Sequence, residues 1–229
     1  MPPPTWTAPL RLALSANAKD AHVKYVSLAT VDANGGPRCR TVVFRGFLKQ
    51  FWDGHGGGEG DQDEEVERCV TFVTDLRSAK VKQTKACDRA EASWYFTRTR
   101  EQFRLRGSLR IVGEGDEEKW LRARTRAWKA LSDKARSQFA WDTPGMPLRS
   151  HPEQQAEDLM QPLGQAPLPT FGLVVLRVER VDQLSLKQNR RWIHRNVDCQ
   201  DEEESKGVLN NNSEVFEVQG SWSSWEVNP

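Results

Sequence analysis

The 229-residue sequence predicts a mainly β fold, a β-barrel with peripheral α-helices. Two observations carry that expectation. Short runs of alternating apolar and polar residues dominate, the clearest being Gln102 to Gly113, where Phe103, Leu105, Gly107, Leu109 and Ile111 share one face. Helical patterns are few and inserted between strands, with neither internal repeats nor the strand–helix–strand rhythm of a parallel sheet.

In chain order, Trp6, Leu10 and Leu14 recur at four-residue spacing and predict a helix from about Thr7 to Ala16 that covers one end of the barrel. Tyr25 to Val31 reads as a strand, Asp32 to Gly36 as a turn with an Asn-Gly hairpin signal, and Arg38 to Phe47 as the returning strand. On a regular strand Arg40 and Arg45 point opposite ways, so a bulge or strand end has to intervene if both serve one ligand. Asp53 to Glu67 is rich in glycine and acid; it lacks the G-K-[S/T] of a phosphate loop and reads as a surface insertion. Cys69 to Thr74 is a strand, Ser78 to about Ala86 a helix, and Glu91 to Phe96 a strand whose aromatic end suits packing.

Asp116 to Leu131 predicts a helix with Trp120, Arg124, Ala127, Trp128 and Leu131 as its stripe and a solvated basic face. Ser132 and Asp133 cap a further helix through Phe139, and a short helix is expected from Ser150 to about Met160. Phe171 to Leu186 is a long strand, Asp201 to Asn212 an acidic loop, and Phe216 to Val227 a closing strand.

Composition narrows the function classes. A net charge of +1 gives no bulk case for nucleic acid or membrane partners. No apolar run approaches membrane-spanning length, and the Met-Pro-Pro-Pro start lacks signal-peptide features. The four Cys and four His are scattered without metal-ligand spacing, so reduced thiols in a cytoplasmic setting and no metal are expected.

The stretch Phe72 to Gln83 runs from strand through a turn into a helix start at Ser78, with Lys80 in the first turn. Free helix N–H groups, a hydroxyl and nearby cations make an anion site. Read beside Arg40-Thr41-Val42-Val43-Phe44-Arg45, the pattern R-x-V-x-x-(K/R) followed by F-x-T-(N/D)-x-x-S-x-K-x-x-Q resembles the FMN-binding core of the pyridoxamine 5'-phosphate oxidase family. Val-Ser-Leu-Ala-Thr-Val-Asp from Val26, Trp94-Tyr95-Phe96, the Thr99 to Gly107 run, Leu131-Ser132-Asp133 and the terminal Val227-Asn228-Pro229 are similar to its plant and cyanobacterial subgroup.

The resemblance implies one FMN-binding split-barrel domain over 1–229 and a homodimer whose flavin site is built from two chains. It implies FMN contacts from Arg40, Thr41, Val42, Val43, Arg45, Val73, Thr74, Ser78, Lys80 and, across the interface, Gln102. Arg45, Ser137, Arg190 and Arg195 are the implied substrate-binding residues, and no side chain is implied as a nucleophile or acid–base catalyst. Ala79 stands where the pyridoxal enzymes carry an Arg, with Arg77 nearby in compensation. Asp133 replaces an Arg of the substrate phosphate clamp, and Leu184 replaces a Trp flanking the flavin. Three readings follow. The first is an FMN-dependent oxidase of pyridoxamine or pyridoxine 5'-phosphate, in vitamin B6 metabolism. The second is an FMN-binding or flavin reductase-like protein without that activity. The third is a barrel that has lost its cofactor.

Overall fold

The computed structural model describes residues 4–52, 66–147, 164–197, 217–219 and 221–229. Of the surface insertion expected over Asp53 to Glu67, residues 53–65 lie outside them, as do the helix expected from residue 150 to 160 and the acidic loop at 201–212; Val66 and Glu67 are described, and Val66 is packed in a core rather than at the surface. Helix α1 is Thr7–Ala16, strand β1 Tyr25–Val31, β2 Pro37–Val43, β3 Gly46–Phe47, β4 Cys69–Asp75, helix α2 Ala79–Ala86, β5 Arg89–Phe96 and β6 Glu101–Val112. There follow α3 Glu118–Lys129, α4 Asp133–Ser137, β7 Phe171–Ser185, β8 Arg190–Asn196, β9 Glu217–Gln219 and β10 Trp222–Val227.

The strands pair in the order β2-β1-β5-β6-β7-β8-β10-β9, all antiparallel, and β4 pairs with both β3 and β7. Because β3 continues the chain from β2, the circuit β1, β2/β3, β4, β7, β6, β5 closes on itself as a barrel, and β8 to β10 extend it. The seam is at Phe44 and Arg45. There the chain leaves its partner β1, where the Phe44 N–H donates to Lys24, and joins β4, where the Arg45 N–H donates to Thr71. The single strand expected over Arg38 to Phe47 is therefore two, parted by this change of partner. Gly46 follows at φ +133°, a conformation that residues with a Cβ rarely adopt.

The spine is the β6–β7 pair. Its register slips at Arg106/Gly107, where Gly107 faces Val178 and Arg106 faces Arg180. A Cβ on Gly107 would lie 1.9 Å from the Arg177 carbonyl oxygen, so the crossing requires glycine. The alternation expected of β6 is present: Phe103, Leu105, Gly107 and Leu109 are buried. Val26, Leu28, Phe72, Trp94, Phe103, Leu176 and Val181 fill the barrel. Helix α1 plugs one end with Trp6, Leu10 and Ala13, Trp6 lying 6.0 Å from Trp222 and 6.3 Å from Phe47. Each large apolar side chain so buried contributes about 1.5–3 kcal/mol.

A second core lies under α3, where Ala127 and Trp128 meet Phe139, Phe171 and Leu173, with edge-on ring contacts of 4.9–5.9 Å. Arg124, on the same face, is buried and donates to the Phe171 and Leu168 carbonyls. It ties α3 to β7. No helix among the described residues is long and apolar enough to cross a membrane.

Candidate functional site

Arg40 lies in β2 opposite Leu28, on the barrel-facing side of an edge strand. Its guanidinium donates to Leu28 O (3.1 Å), Thr30 Oγ1 (2.7 Å) and Gln83 Oε1 (2.7 Å). Thr30 in turn donates to the same Gln83 oxygen at 2.8 Å. Gln83 is on α2, three residues after Lys80, so one turn of helix presents both towards Arg40.

The N-terminal end of α2 completes the cluster. Alanine, lysine and glutamine favour the helix, and Val81 and Thr84 bury its inner face. Ser78 occupies the N-cap position, but its hydroxyl makes no capping bond. It is turned to Thr74 Oγ1 (3.0 Å) and accepts from Lys80 Nζ (3.1 Å), and Lys80 also donates to Thr74 at 2.9 Å. The first-turn N–H groups of α2 are thus left without a side-chain cap, with two cations beside them.

Among the described residues neither Arg40 nor Lys80 has an ion-pair partner. Burial first, and the neighbouring Arg40 charge second, hold the Lys80 ammonium below the usual lysine range, with Asp75 opposing them. Burial likewise lowers Arg40. Like charges gathered in a desolvated place are costly unless an anion joins them. Thr74, Ser78 and Lys80, from one strand–turn–helix stretch, meet Arg40 from the distant β2 here; Thr30 and Gln83 join them. Gln83 was legible as the last letter of S-x-K-x-x-Q, and Thr30 became visible only through the β1–β2 register.

Arg77 does not compensate for Ala79. Its guanidinium grips Asp75 at 2.6–3.2 Å and donates to the Trp141 carbonyl, so its charge is spent in the β4–α2 turn. Thr41, Val42 and Val43 continue β2, and Val73 precedes Thr74 on β4. Arg45 sits at the barrel seam, half-buried, with its Nε out of solvent and without an acceptor. The β2/β3 break supplies the strand end that two arginines serving one ligand require.

Gln102 pairs with Tyr95 and Leu184, three positions from Leu105 and so on the outer face of β6. It points away from the barrel interior and does not meet Arg40 within one chain. Ser137, Arg190 and Arg195 also stay apart from the cluster. The Ser137 hydroxyl donates to Lys134 O at 3.0 Å. Arg190 is exposed and holds Glu226 in a two-bond pair at 2.6 and 2.8 Å. Arg195 faces Arg180 across β7–β8. Asp133 is paired with Arg136. Among the described residues no group of His, Cys, Asp and Glu is arranged to hold a metal.

Residues 3–113 match the family model described as pyridoxamine 5'-phosphate oxidase, FMN-binding domain. The chain is 36% identical over 187 residues to pyridoxine/pyridoxamine 5'-phosphate oxidase 2 of Arabidopsis thaliana, spanning 81% of this chain and 85% of that protein. The structure of a pyridoxamine 5'-phosphate oxidase-related, FMN-binding protein from Nostoc punctiforme superposes with a TM-score of 0.74 at 34% identity, covering 98% of this chain and 97% of that one. PhzG from Burkholderia lata, in complex with tetrahydrophenazine-1-carboxylic acid, has a TM-score of 0.67 over 100% of this chain and 94% of that one. At 16% identity it shares the fold alone.

Proposed function

The chain belongs to the pyridoxamine 5'-phosphate oxidase family, and on that premise we propose that it is an FMN-dependent oxidoreductase acting as a homodimer on a small substrate, pyridoxamine or pyridoxine 5'-phosphate. One observation carries the cofactor assignment: Arg40 and Lys80 are brought together by hydroxyls and an amide, and among the described residues neither is ion-paired with a carboxylate. A phosphate monoester supplies the missing charge, and the uncapped start of α2 offers N–H donors to the same anion.

The residues fit FMN, with Arg40, Thr74, Ser78 and Lys80 holding its phosphate. Thr41, Val42, Val43 and Val73 would lie along the flavin, with the free edge of β2 offering backbone groups to the ring. Arg45 would place a fixed positive charge towards the ring, where charge grows on reduction. Its planar fork differs from the lysine usual there. Gln102, facing outward, would reach the flavin held by the other chain of a dimer. The chemistry supplied by bound FMN is two-electron: hydride acceptance from a substrate C–H, then delivery of the electrons to oxygen. The protein has only to orient substrate and cofactor and to keep water from the reacting atoms. That fits a site whose described residues include no nucleophile–base pair.

A second reading, an FMN-binding or flavin reductase-like protein without pyridoxal phosphate synthase activity, draws on the substrate side. Asp133 stands in the clamp and Arg190 is neutralised by Glu226. Oxygen consumption by FMN-loaded protein supplied with pyridoxamine 5'-phosphate separates the two. Turnover with pyridoxal 5'-phosphate as product supports the first reading; bound FMN without turnover supports the second.

A further inference from the structure

A second group of cations lies at the barrel seam. Arg11 of α1, Lys24 ahead of β1 and Arg45 line a cleft of about 450 Å³ floored by Phe44 and Phe47, with Gln50 at its side. Three features mark it as an anion seat. Among the described residues it contains no carboxylate: its lining is three cations with apolar and amide groups. Arg45 Nε is shielded from solvent with no acceptor. The Arg11 guanidinium is held in place by stacking 4.0 Å over the Phe47 ring, a contact that fixes the cation without neutralising it.

A second arginine-rich recess, lined by residues of β5 to β8, differs in its charge balance. That recess, of about 180 Å³, holds Arg104, Arg106, Arg180 and Arg191, but Glu91 and Asp182 share it and pair with Arg104 and Arg191. The seam cleft has no such balance. Its geometry is also built rather than incidental. The Phe44 N–H donates to the Lys24 carbonyl, which fastens the Lys24 backbone against the end of β2. Gly46, without a side chain, leaves the space that Gln50 Oε1 occupies, 1.9 Å from where a Cβ would stand.

Arg40 and Arg45 are five positions apart, roughly 16 Å of extended chain. Arg11 and Lys24 thus add cations beyond Arg40 and Lys80, on the far side of Arg45, which suits a second phosphate on a second molecule. Resting on the FMN reading above, we propose that Arg11 and Lys24, together with Arg45, seat the phosphate of the substrate. They take over from the clamp in which Asp133 stands. The aromatic floor suits a planar ring attached to that phosphate, so the substrate class is an aromatic phosphate monoester.

The test uses FMN-loaded full-length protein with two probes, pyridoxamine 5'-phosphate and unphosphorylated pyridoxamine. Binding is read by calorimetry and by perturbation of the flavin spectrum. The double variant Arg11→Gln/Lys24→Gln changes two exposed side chains. It is expected to weaken the phosphate probe about tenfold or more, to leave pyridoxamine unchanged and to leave FMN affinity unchanged. Equal affinity of wild type and variant for pyridoxamine 5'-phosphate overturns the proposal. So does a parallel loss of FMN affinity, which would give the cleft to the flavin's own phosphate, and so does a wild-type holoprotein that does not bind the phosphate probe. Failure of the wild type to take up FMN overturns the underlying reading and this one with it; FMN uptake with unchanged probe affinity overturns only this one.

Discussion

Lys80 donates to two hydroxyls and shares its surroundings with Arg40, so removing its charge removes a charge-assisted contact to any bound phosphate. Lys80→Ala is expected to weaken FMN binding by about 1–3 kcal/mol, read as a fluorescence-quenching titration. Gln83→Leu withdraws the oxygen that receives both Arg40 and Thr30. It should also weaken FMN, through a misdirected Arg40; unchanged affinity would make Gln83 a packing residue only. At this scale the sequence was legible where the motif named the residues: Arg40, Thr74, Ser78 and Lys80 converge as their pattern suggests. It misled at Arg77, because the Asp75 carboxylate two residues before it captures the guanidinium. That competition depends on turn geometry, not on composition.

His194 supplies a residue-level prediction of pH dependence. It is buried, with Nδ1 3.0 Å from Thr5 Oγ1 and Nε2 3.1 Å from Gln183 Oε1, and burial pushes its pKa down to about 4. The folded state therefore favours the neutral ring. Its contribution is complete above the unfolded value near 6.5 and is lost as pH falls towards about 4, because the unfolded chain takes the proton first. At ~1.4 kcal/mol per pH unit this amounts to about 3 kcal/mol. Urea midpoints at pH 7 and 4.5 check it: the difference should be smaller in His194→Gln than in wild type.

Among the elements, β6 was readable from alternation alone, since a strand with one face in the barrel repeats every two residues. The helix α1 matches its expected bounds because Trp6, Leu10 and Ala13 all enter the core. The break between β2 and β3 was not readable from periodicity. Its cause is the exchange of β1 for β4 as partner, a tertiary event that leaves no change in residue pattern at Phe44 and Arg45. The β6–β7 slip is similar: only the approach of Gly107 to the Arg177 carbonyl explains the glycine. Gly107→Ala has to push backbone aside in the spine of the barrel. It is expected to cost about 3 kcal/mol, measured by chemical unfolding. Retained wild-type stability would mean that the two strands part more easily than this register implies.

Across the whole molecule, the barrel places the Arg40–Lys80 cluster and Gln102 on opposite faces of one sheet. Within one chain the two groups face apart. The proposed homodimer resolves this, and FMN affinity should then fall on dilution below the dimer dissociation constant, followed by sedimentation alongside the titration. Affinity independent of protein concentration while the dimer dissociates would remove Gln102 from the site. This chain is proposed to hold FMN through Arg40 and Lys80. The most direct test is the visible absorption spectrum of the purified protein, with the released cofactor identified by mass. The expected result is a yellow protein carrying FMN, and a Lys80→Ala variant that retains less of it. A protein that stays colourless after soaking in FMN would contradict it.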